Sequence, residues 1–262
     1  MIASPSEKIK VDIDGHVATL VIDNPAANTW DTESLPALQQ VVEALNASPE
    51  IYALVLTGAG EKFFSAGADL KLFADGDPET ARVMGEAFGA AFETLADFRG
   101  VSVAAINGFA MGGGLEVAMA CDIRVAESQA KLALPEATVG LLPCAGGTQR
   151  LAQLVGEGWA KRMILCGERI SAAKALEIGL VEEVVEPGTA LEVATQLAAS
   201  AGAQSPTSVA ACKRLIHGAR NITIAGGLAA ERSEFVNLFS TEDQREGVNA
   251  FLEKRPPEWK NR

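Results

Sequence analysis

Short apolar segments and segments of helical periodicity alternate along the first half of the chain. KIKVDID and VATLVIDN flank a Gly-His pair, so together they predict an antiparallel hairpin. From about Asp31 to Ala47, apolar residues recur at helical spacing, which predicts a helix. The segments IYALVLTGAG and VSVAAINGFA are nearly continuously apolar, as is typical of strands buried on both faces of a parallel sheet. We therefore predict an α/β fold.

The second half of the chain is predominantly helical in its pattern. Before it, the pair Asp77-Pro78 combines an acidic N-cap with proline at the first helical position, which predicts a helix to about Phe98. Further helix starts are predicted at Ser171, at Ser205-Pro206, and at two capping boxes, Thr189 with Glu192 and Thr241 with Gln244. We divide the chain into a core over residues 1–195 and a helical C-terminal region over residues 196–262.

Composition argues against several classes of function. The net charge of −12 and the pI near 4.7 argue against nucleic acid as a partner, because an acidic protein repels phosphates. We expect no membrane span, since no run of about 18 uncharged apolar residues occurs, and the polar N-terminus predicts no secretory signal. The four cysteines are widely spaced, which indicates reduced packing thiols in a cytoplasmic protein. With two histidines, a histidine-based metal site or catalytic triad is not expected.

The segment NGFAMGGGLEVAMACDI carries the first candidate chemistry. Gly112, Gly113 and Gly114 stand between a predicted strand and a predicted helix, where a ligand can come close to backbone N–H groups at the positive end of the helix. Upstream, the segment FFSAGADLK places Gly67 before Ala68, whose N–H is a second candidate donor. Two such donors from separate loops form an oxyanion hole.

Two acidic residues accompany these donors. Glu116 lies in the apolar segment after the glycines, and Glu136 begins a predicted helical turn twenty residues later. Burial raises the pKa of a carboxyl group, so both are candidates for general acid–base catalysis. Two carboxyls beside an oxyanion hole suit water addition to a conjugated enoyl thioester, in which one activates water and the other supplies the α-proton. Taken alone, each feature also has a structural explanation: a close-packed glycine turn, an ion pair of Glu116 with Arg124 or Lys131, or an ordinary helix start at Glu136.

Five segments resemble, in order, the enoyl-CoA hydratase/isomerase (crotonase) family. They are FFSAGADLK, NGFAMGGGLEVAMACDIRVA, LPEATVGLLPCAGGTQRLAQLVG, ISAAKALEIGLVEEVV and FSTEDQREGVNAFLEKRPPEW. The resemblance implies a core of repeated ββα units and a C-terminal trimerisation region over residues 196–262, with assembly as a homotrimer or a dimer of trimers. It also implies a coenzyme A thioester as substrate and neither a metal nor a redox cofactor.

Position by position, the resemblance implies roles for individual residues. Ala68 and Gly113 would supply the oxyanion-hole N–H groups, and Glu116 and Glu136 would be the catalytic acids. Contacts with the substrate are implied for Ala66, Ala68, Asp69, Leu70, Lys71 and Gly113, with Lys71 as a candidate phosphate contact. Trp30 stands where a smaller residue is usual in the family, and it therefore bears on the acyl or pantetheine pocket.

Many members of this family keep only one acid, so the presence of two favours a hydratase. The expected reaction converts trans-2-enoyl-CoA to 3-hydroxyacyl-CoA in fatty-acid or related acyl-CoA degradation. A Δ3-Δ2-enoyl-CoA isomerase and a non-catalytic CoA-thioester-binding protein are the alternatives. RNA binding, known in this broad family, fits poorly with the acidic pI. The sequence leaves open the acyl-chain length, the choice between trimer and hexamer, and which glutamate activates water.

Overall fold

The computed structural model describes residues 2–262, and this part of the chain forms ten β-strands and nine α-helices. The strands are β1 (Ile9–Asp14), β2 (Val17–Ile22), β3 (Ala53–Gly58), β4 (Phe63–Ser65), β5 (Val101–Ile106), β6 (Phe109–Met111), β7 (Ile123–Glu127), β8 (Lys131–Ala133), β9 (Ile170–Ser171) and β10 (Glu183–Val185). The helices are α1 (Ser34–Ala47), α2 (Pro78–Ala96), α3 (Gly113–Ala120), α4 (Gly147–Leu165), α5 (Ala172–Glu177), α6 (Ala190–Gly202), α7 (Pro206–Gly218), α8 (Ile224–Leu238) and α9 (Glu242–Glu253). Two 3₁₀ helices, Leu70–Phe73 and Glu136–Val139, complete the set.

The strands form two sheets, and from β3 to β8 consecutive strands alternate between them. The larger sheet has the order β1-β2-β3-β5-β7-β10, and the smaller has the order β4-β6-β8-β9. Three ββα units follow one another as β3-β4-α2, β5-β6-α3 and β7-β8-α4, and in each unit the first strand joins the larger sheet and the second joins the smaller. Strands from successive units pair in parallel in both sheets. The predicted α/β fold with repeated ββα units is therefore confirmed.

The periodicities read from the sequence correspond to the observed elements. The predicted hairpin is formed by β1 and β2, which pair antiparallel around Gly15. The apolar face of α1 is fully buried at Leu35, Leu38, Val42 and Leu45. All six residues of β3 are buried, as the continuous apolar run indicates for a sheet covered on both faces.

Helix caps explain where several helices begin. The Asp77 side chain accepts hydrogen bonds from the N–H groups of Glu79 and Thr80 and so starts α2, which ends at Ala96 rather than at the predicted Phe98. Thr241 caps α9 by accepting from the N–H of Gln244. The predicted capping box at Thr189 is wrong, because that side chain makes no capping hydrogen bond and its backbone is already helical.

Packing of the C-terminal helices against the core decreases from α6 to α8. The predicted boundary after residue 195 falls inside α6, which packs Ala190, Ala194 and Ala198 against the larger sheet. The next helix, α7, is fixed by Lys213, whose ammonium group reaches the carbonyl of Phe98 at 2.6 Å and the carboxylate of Asp122 at 2.7 Å. By contrast, no residue of α8 is buried. The division of the chain at that point stays a prediction.

None of the described helices combines the length and the apolar character needed to cross a membrane.

Candidate active site

The candidate residues gather at one edge of the smaller sheet. Its strands β4, β6 and β8 run in parallel, so their carboxyl ends lie side by side. Each of these ends is followed directly by one candidate segment: residues 66–68 after β4, the glycines 112–114 after β6, and residues 134–136 after β8. A hydrogen bond of 3.0 Å from the N–H of Gly112 to the carbonyl of Ala133 joins the second and third ends. The ββα repeat thus assembles a site at the strand ends, where α/β proteins usually bind ligands.

The three consecutive glycines serve three different purposes. Gly112 has φ 53° and ψ −127°, a conformation that L side chains rarely adopt. Gly113 opens α3 and is buried against the side chains of Phe88 and Trp30. Gly114 allows α3 to approach β4, because a methyl group there would lie 2.2 Å from the carbonyl oxygen of Ser65. Close packing, the structural explanation considered for the glycines, therefore accounts for Gly114. The backbone N–H of Gly113 remains available for a ligand.

The two predicted oxyanion donors lie beside each other. Gly67 has φ 89°, and a methyl group built on it would lie 3.1 Å from the nitrogen of Gly113, so the 66–68 loop and the start of α3 are in direct contact. Within residues 2–262, the N–H groups of Ala68 and Gly113 donate no hydrogen bond to any backbone or side-chain acceptor. Two free donors from separate segments at a helix N-terminus form the arrangement that stabilises a developing oxyanion.

Glu116 is buried in the first turn of α3, where 2% of its surface is exposed. One carboxylate oxygen, Oε1, accepts hydrogen bonds of 2.8 Å from the N–H groups of both Ala145 and Gly147. Burial raises the pKa of Glu116, while these two bonds and the charge of Arg150 act in the opposite direction. The structural alternative of an ion pair with Arg124 or Lys131 is not realised among the described residues. The Arg124 guanidinium binds Glu182, and the hydrogen-bond partners of the Glu116 carboxylate are the backbone N–H groups of Ala145 and Gly147. Glu116 is thus a carboxylate with one oxygen fixed by the backbone and the other free for a substrate or water.

Glu136 begins the 3₁₀ helix that follows β8 and faces the glycines. Its Oε1 atom lies 3.0 Å from the position that a methyl group on Gly112 would take. Its Oε2 atom is buried and has no hydrogen-bond partner among the described residues. Burial, and to a lesser degree the negative charge of Glu116, raises the pKa of Glu136 to about 7. The charged form of Glu116 is therefore better stabilised by hydrogen bonds than the charged form of Glu136. Two carboxyl groups in such different environments are typical of an acid–base pair.

A cavity of about 720 Å³ connects these groups. Its walls include Ala66, Ala68, Leu70, Gly113, Glu116 and Glu136, so six of the eight predicted site residues are brought together. The remaining two do not line it. Asp69 accepts from the N–H of Lys71 and caps the 3₁₀ helix Leu70–Phe73, in which Lys71 is exposed.

Sequence reasoning missed other residues of the wall, namely Thr29, Phe73, Ala81, Gly85, Phe88, Thr138, Val139, Leu141, Leu142 and Cys144. Most of them lie on α2 and on the segment after β8, and their patterns resemble an ordinary amphipathic helix and an ordinary loop. Cys144 also corrects an expectation: it was predicted to be a packing residue, as were Cys121 and Cys166, yet only Cys121 is buried among the four free thiols.

Trp30 lies beneath the site and does not line the cavity. It is fully buried, packs edge-to-face on Phe92 with ring centroids 5.5 Å apart, and forms a bridge with Ala68. Its Cδ1 atom lies 3.5 Å from the position of a methyl group on Gly113. Trp30 therefore packs against both segments that carry the oxyanion donors and is not itself part of the cavity wall.

Known proteins are similar to this chain over most of its length. A family model described as Enoyl-CoA hydratase/isomerase matches residues 12–262. A short-chain-enoyl-CoA hydratase of Clostridium acetobutylicum is 40% identical over 251 residues, which are 95% of this chain and 96% of that protein. The structure of DspI from Pseudomonas aeruginosa is 61% identical, with a TM-score of 0.95 and 97% of each chain covered. The crystal structure of an enoyl-CoA hydratase from Bacillus anthracis is 38% identical, with a TM-score of 0.94, and covers 98% of this chain and 100% of that one.

Proposed function

Since the chain belongs to the enoyl-CoA hydratase/isomerase family, we propose that it adds water to trans-2-enoyl-CoA and forms 3-hydroxyacyl-CoA. One observation carries the proposal: the buried carboxyl group of Glu116 and the partly buried carboxyl group of Glu136 face a cavity that is also lined by two unpaired N–H donors. The short-chain enoyl-CoA hydratase of C. acetobutylicum supports it, because that relative matches nearly the whole chain.

The N–H groups of Ala68 and Gly113 receive the thioester carbonyl oxygen. When water adds at the β-carbon, negative charge moves onto this oxygen, and an enolate forms. The two fixed donors stabilise that charge more than they stabilise the neutral ground state, which lowers the barrier to addition. Loss of one such donor typically reduces the rate by about 10²–10³.

We propose a role for each acid in proton transfer from the environment of its carboxyl group. Glu116 is held by two backbone N–H groups that favour its charged form, so it removes the proton from water as oxygen bonds to the β-carbon. Glu136 has a pKa near 7 and an unpaired Oε2, so a substantial fraction of it is protonated at neutral pH, and this protonated form delivers its proton to the α-carbon of the enolate. After product release, proton exchange with water restores both groups.

The coenzyme A part of the substrate lies along the loop after β4. Ala66, Ala68 and Leu70 are on the cavity wall, where their backbone groups reach a ligand. Asp69 contributes by holding the turn, and exposed Lys71 lies beside it as a contact for a phosphate.

Catalysis proceeds without a metal or redox cofactor, because both proton transfers and the enolate are served by groups of this chain. Nucleic acid is not a partner, and the enzyme acts in the cytoplasm in the degradation of fatty acids or related acyl-CoA compounds.

The two alternative functions within the family require fewer catalytic acids than this site contains. A Δ3-Δ2-enoyl-CoA isomerase needs one acid to move a proton, and a non-catalytic CoA-binding protein needs none. Here two acids face the cavity, and both carboxyl groups are held in place by the elements that follow β6 and β8.

An absorbance assay tests the hydratase against the isomerase. With crotonyl-CoA, hydration removes the conjugated double bond, and the absorbance of the enoyl thioester should fall. With a 3-enoyl-CoA supplied at the same concentration, an isomerase would create conjugation, and absorbance would rise before any hydration. A steady rise with the second substrate and no loss with the first would contradict the proposal and favour the isomerase.

We also propose that the protein assembles as a trimer or a dimer of trimers. Large apolar side chains on α8, directly after it and on α9 are exposed in the isolated chain; they include Phe235, Phe239, Phe251 and Leu252. Such a surface is characteristic of contact with another protein, here another copy of the chain. Light scattering should give a mass of three or six chains of 27.3 kDa each. A stable monomer at micromolar concentration would contradict this assembly.

A further inference from the structure

Gly85 lies in the middle of α2, where the helical backbone does not require a glycine. Gly85 lies within the 19-residue helix, and glycine there destabilises a helix relative to alanine. No atom lies within 4 Å of the position that its Cβ would take, so no neighbouring group requires the missing side chain. Gly85 is nevertheless on the wall of the active-site cavity. The space that a side chain would fill is therefore part of that cavity.

Gly85 belongs to a row of residues on one face of α2. Ala81, Gly85 and Phe88 recur at helical spacing, and all three line the cavity. Phe88 is the member of this row nearest to the oxyanion donors, since its Cε1 atom lies 3.0 Å from the position of a methyl group on Gly113. At the helical rise, Gly85 lies about 4.5 Å and Ala81 about 10.5 Å from Phe88 along the helix axis. Small side chains thus leave a channel that leads away from the oxyanion donors.

The segment after β8 contributes exposed aliphatic side chains to the wall of the same cavity. Val139, Leu141 and Leu142 line the cavity with 54%, 44% and 66% of their surfaces exposed. The Thr138 hydroxyl on this wall already donates to the carbonyl of Pro135 at 2.6 Å. On α2, Arg82 is engaged by Glu79 and Glu86. A pantetheine arm carries amides that need hydrogen-bond partners, whereas an alkyl chain gains from burial against aliphatic side chains.

From these contacts we propose that Gly85 determines the acyl-chain length, by keeping open a channel through which the chains of enoyl thioesters longer than crotonyl-CoA extend. The proposal rests on the hydratase function and adds the class of substrate: enoyl thioesters with an extended alkyl chain. A larger side chain at this position closes the channel beyond the reacting carbons. Short substrates end before this point and are unaffected.

The test compares Gly85→Leu with Gly85→Ala on crotonyl-CoA and trans-2-octenoyl-CoA. In Gly85→Leu, kcat/KM for the octenoyl substrate should fall about tenfold or more, because a methylene group that no longer fits a pocket typically changes this constant by 10- to 200-fold. For crotonyl-CoA, kcat/KM should stay within about twofold of the wild type. Gly85→Ala adds too little volume to close the channel, and it should keep both activities and raise the melting temperature. Gly89→Ala, off the cavity wall on the same helix, controls for helix stabilisation alone.

Two results would overturn the proposal: an unchanged ratio of octenoyl to crotonyl activity in folded Gly85→Leu, or an equal loss on both substrates, which would place the pantetheine arm in this space. Isothermal titration with the saturated thioesters octanoyl-CoA and butyryl-CoA measures how the chain length affects binding, independently of hydration. If the wild type hydrates neither enoyl substrate but Gly85→Leu selectively weakens octanoyl-CoA, the hydratase function fails and the channel stands. If the wild type binds both thioesters equally and the variant changes neither, the channel fails.

Discussion

Glu116→Gln will lower the turnover of crotonyl-CoA by roughly 10²–10⁴, the range that general acid–base catalysis contributes. The amide oxygen of glutamine can still accept from the N–H groups of Ala145 and Gly147, so the turn before α4 keeps its anchor. What is lost is the negative charge that removes a proton from water. Steady-state kinetics should show the loss in kcat, with little change in the affinity for a saturated thioester. Near-normal turnover in a folded variant would show that Glu116 is not the base.

Glu136→Gln should produce a loss of the same size and a different pH profile. The wild-type kcat/KM should decline at low pH as Glu116 is protonated, and at high pH as Glu136 loses its proton near pH 7. The residual activity of Glu136→Gln should lack the decline at high pH. If that decline persists unchanged, another group donates the proton.

The raised pKa of Glu136 also predicts a change in stability with pH. The carboxyl titrates near 4.5 when the chain is unfolded and near 7 when it is folded, so the folded state binds the proton more tightly. The wild type therefore loses stability as pH rises from about 4.5 to about 7, and the loss is complete above that range. Glu136→Gln lacks this penalty. Its melting temperature relative to the wild type should be higher at pH 8 than at pH 5.

The sequence predicts the centre of the site well for a physical reason. Each of β4, β6 and β8 is a short apolar segment followed at once by its functional residues, in FFS-AGA, FAM-GGG and KLA-LPE. Parallel strands bring their carboxyl ends to one edge, so local patterns are enough to group these residues. The buried acid at Glu116 adds a chemical signal, because an apolar helix rarely carries an unpaired carboxyl group.

The periphery of the site depends on packing between distant elements, and local patterns do not encode it. Phe88 and Gly85 belong to a helix whose charged and apolar residues alternate normally, and only the position of α2 over the glycines makes them part of the cavity. Trp30 shows the converse case. The larger residue at this position suggests an effect on the acyl or pantetheine pocket, but the fold places the ring beneath Gly113 and entirely inside the core.

Gly113→Ala will test the oxyanion hole, and we expect turnover to fall by roughly tenfold or more, up to the 10²–10³ that loss of one donor costs. Alanine is compatible with the helical backbone at this position, but its methyl group would lie 3.0 Å from Phe88 Cε1 and 3.5 Å from Trp30 Cδ1. Trp30 is fully enclosed, so the contact is relieved by movement of the Phe88 ring or of the Gly113 peptide. Movement of the peptide turns its N–H away from the thioester oxygen as charge develops, and therefore reduces kcat more than it weakens binding.

A second substitution identifies which group moves. Phe88→Leu removes the ring edge that the new methyl group meets, so the double variant Gly113→Ala/Phe88→Leu should regain much of the turnover that the single variant loses, relative to Phe88→Leu alone. Melting temperatures of the same preparations report the packing cost separately. If Gly113 only allows α3 to pack, Gly113→Ala will melt at a lower temperature while each folded molecule keeps its full turnover number. That outcome would remove Gly113 from the oxyanion hole and leave Ala68 without a second donor.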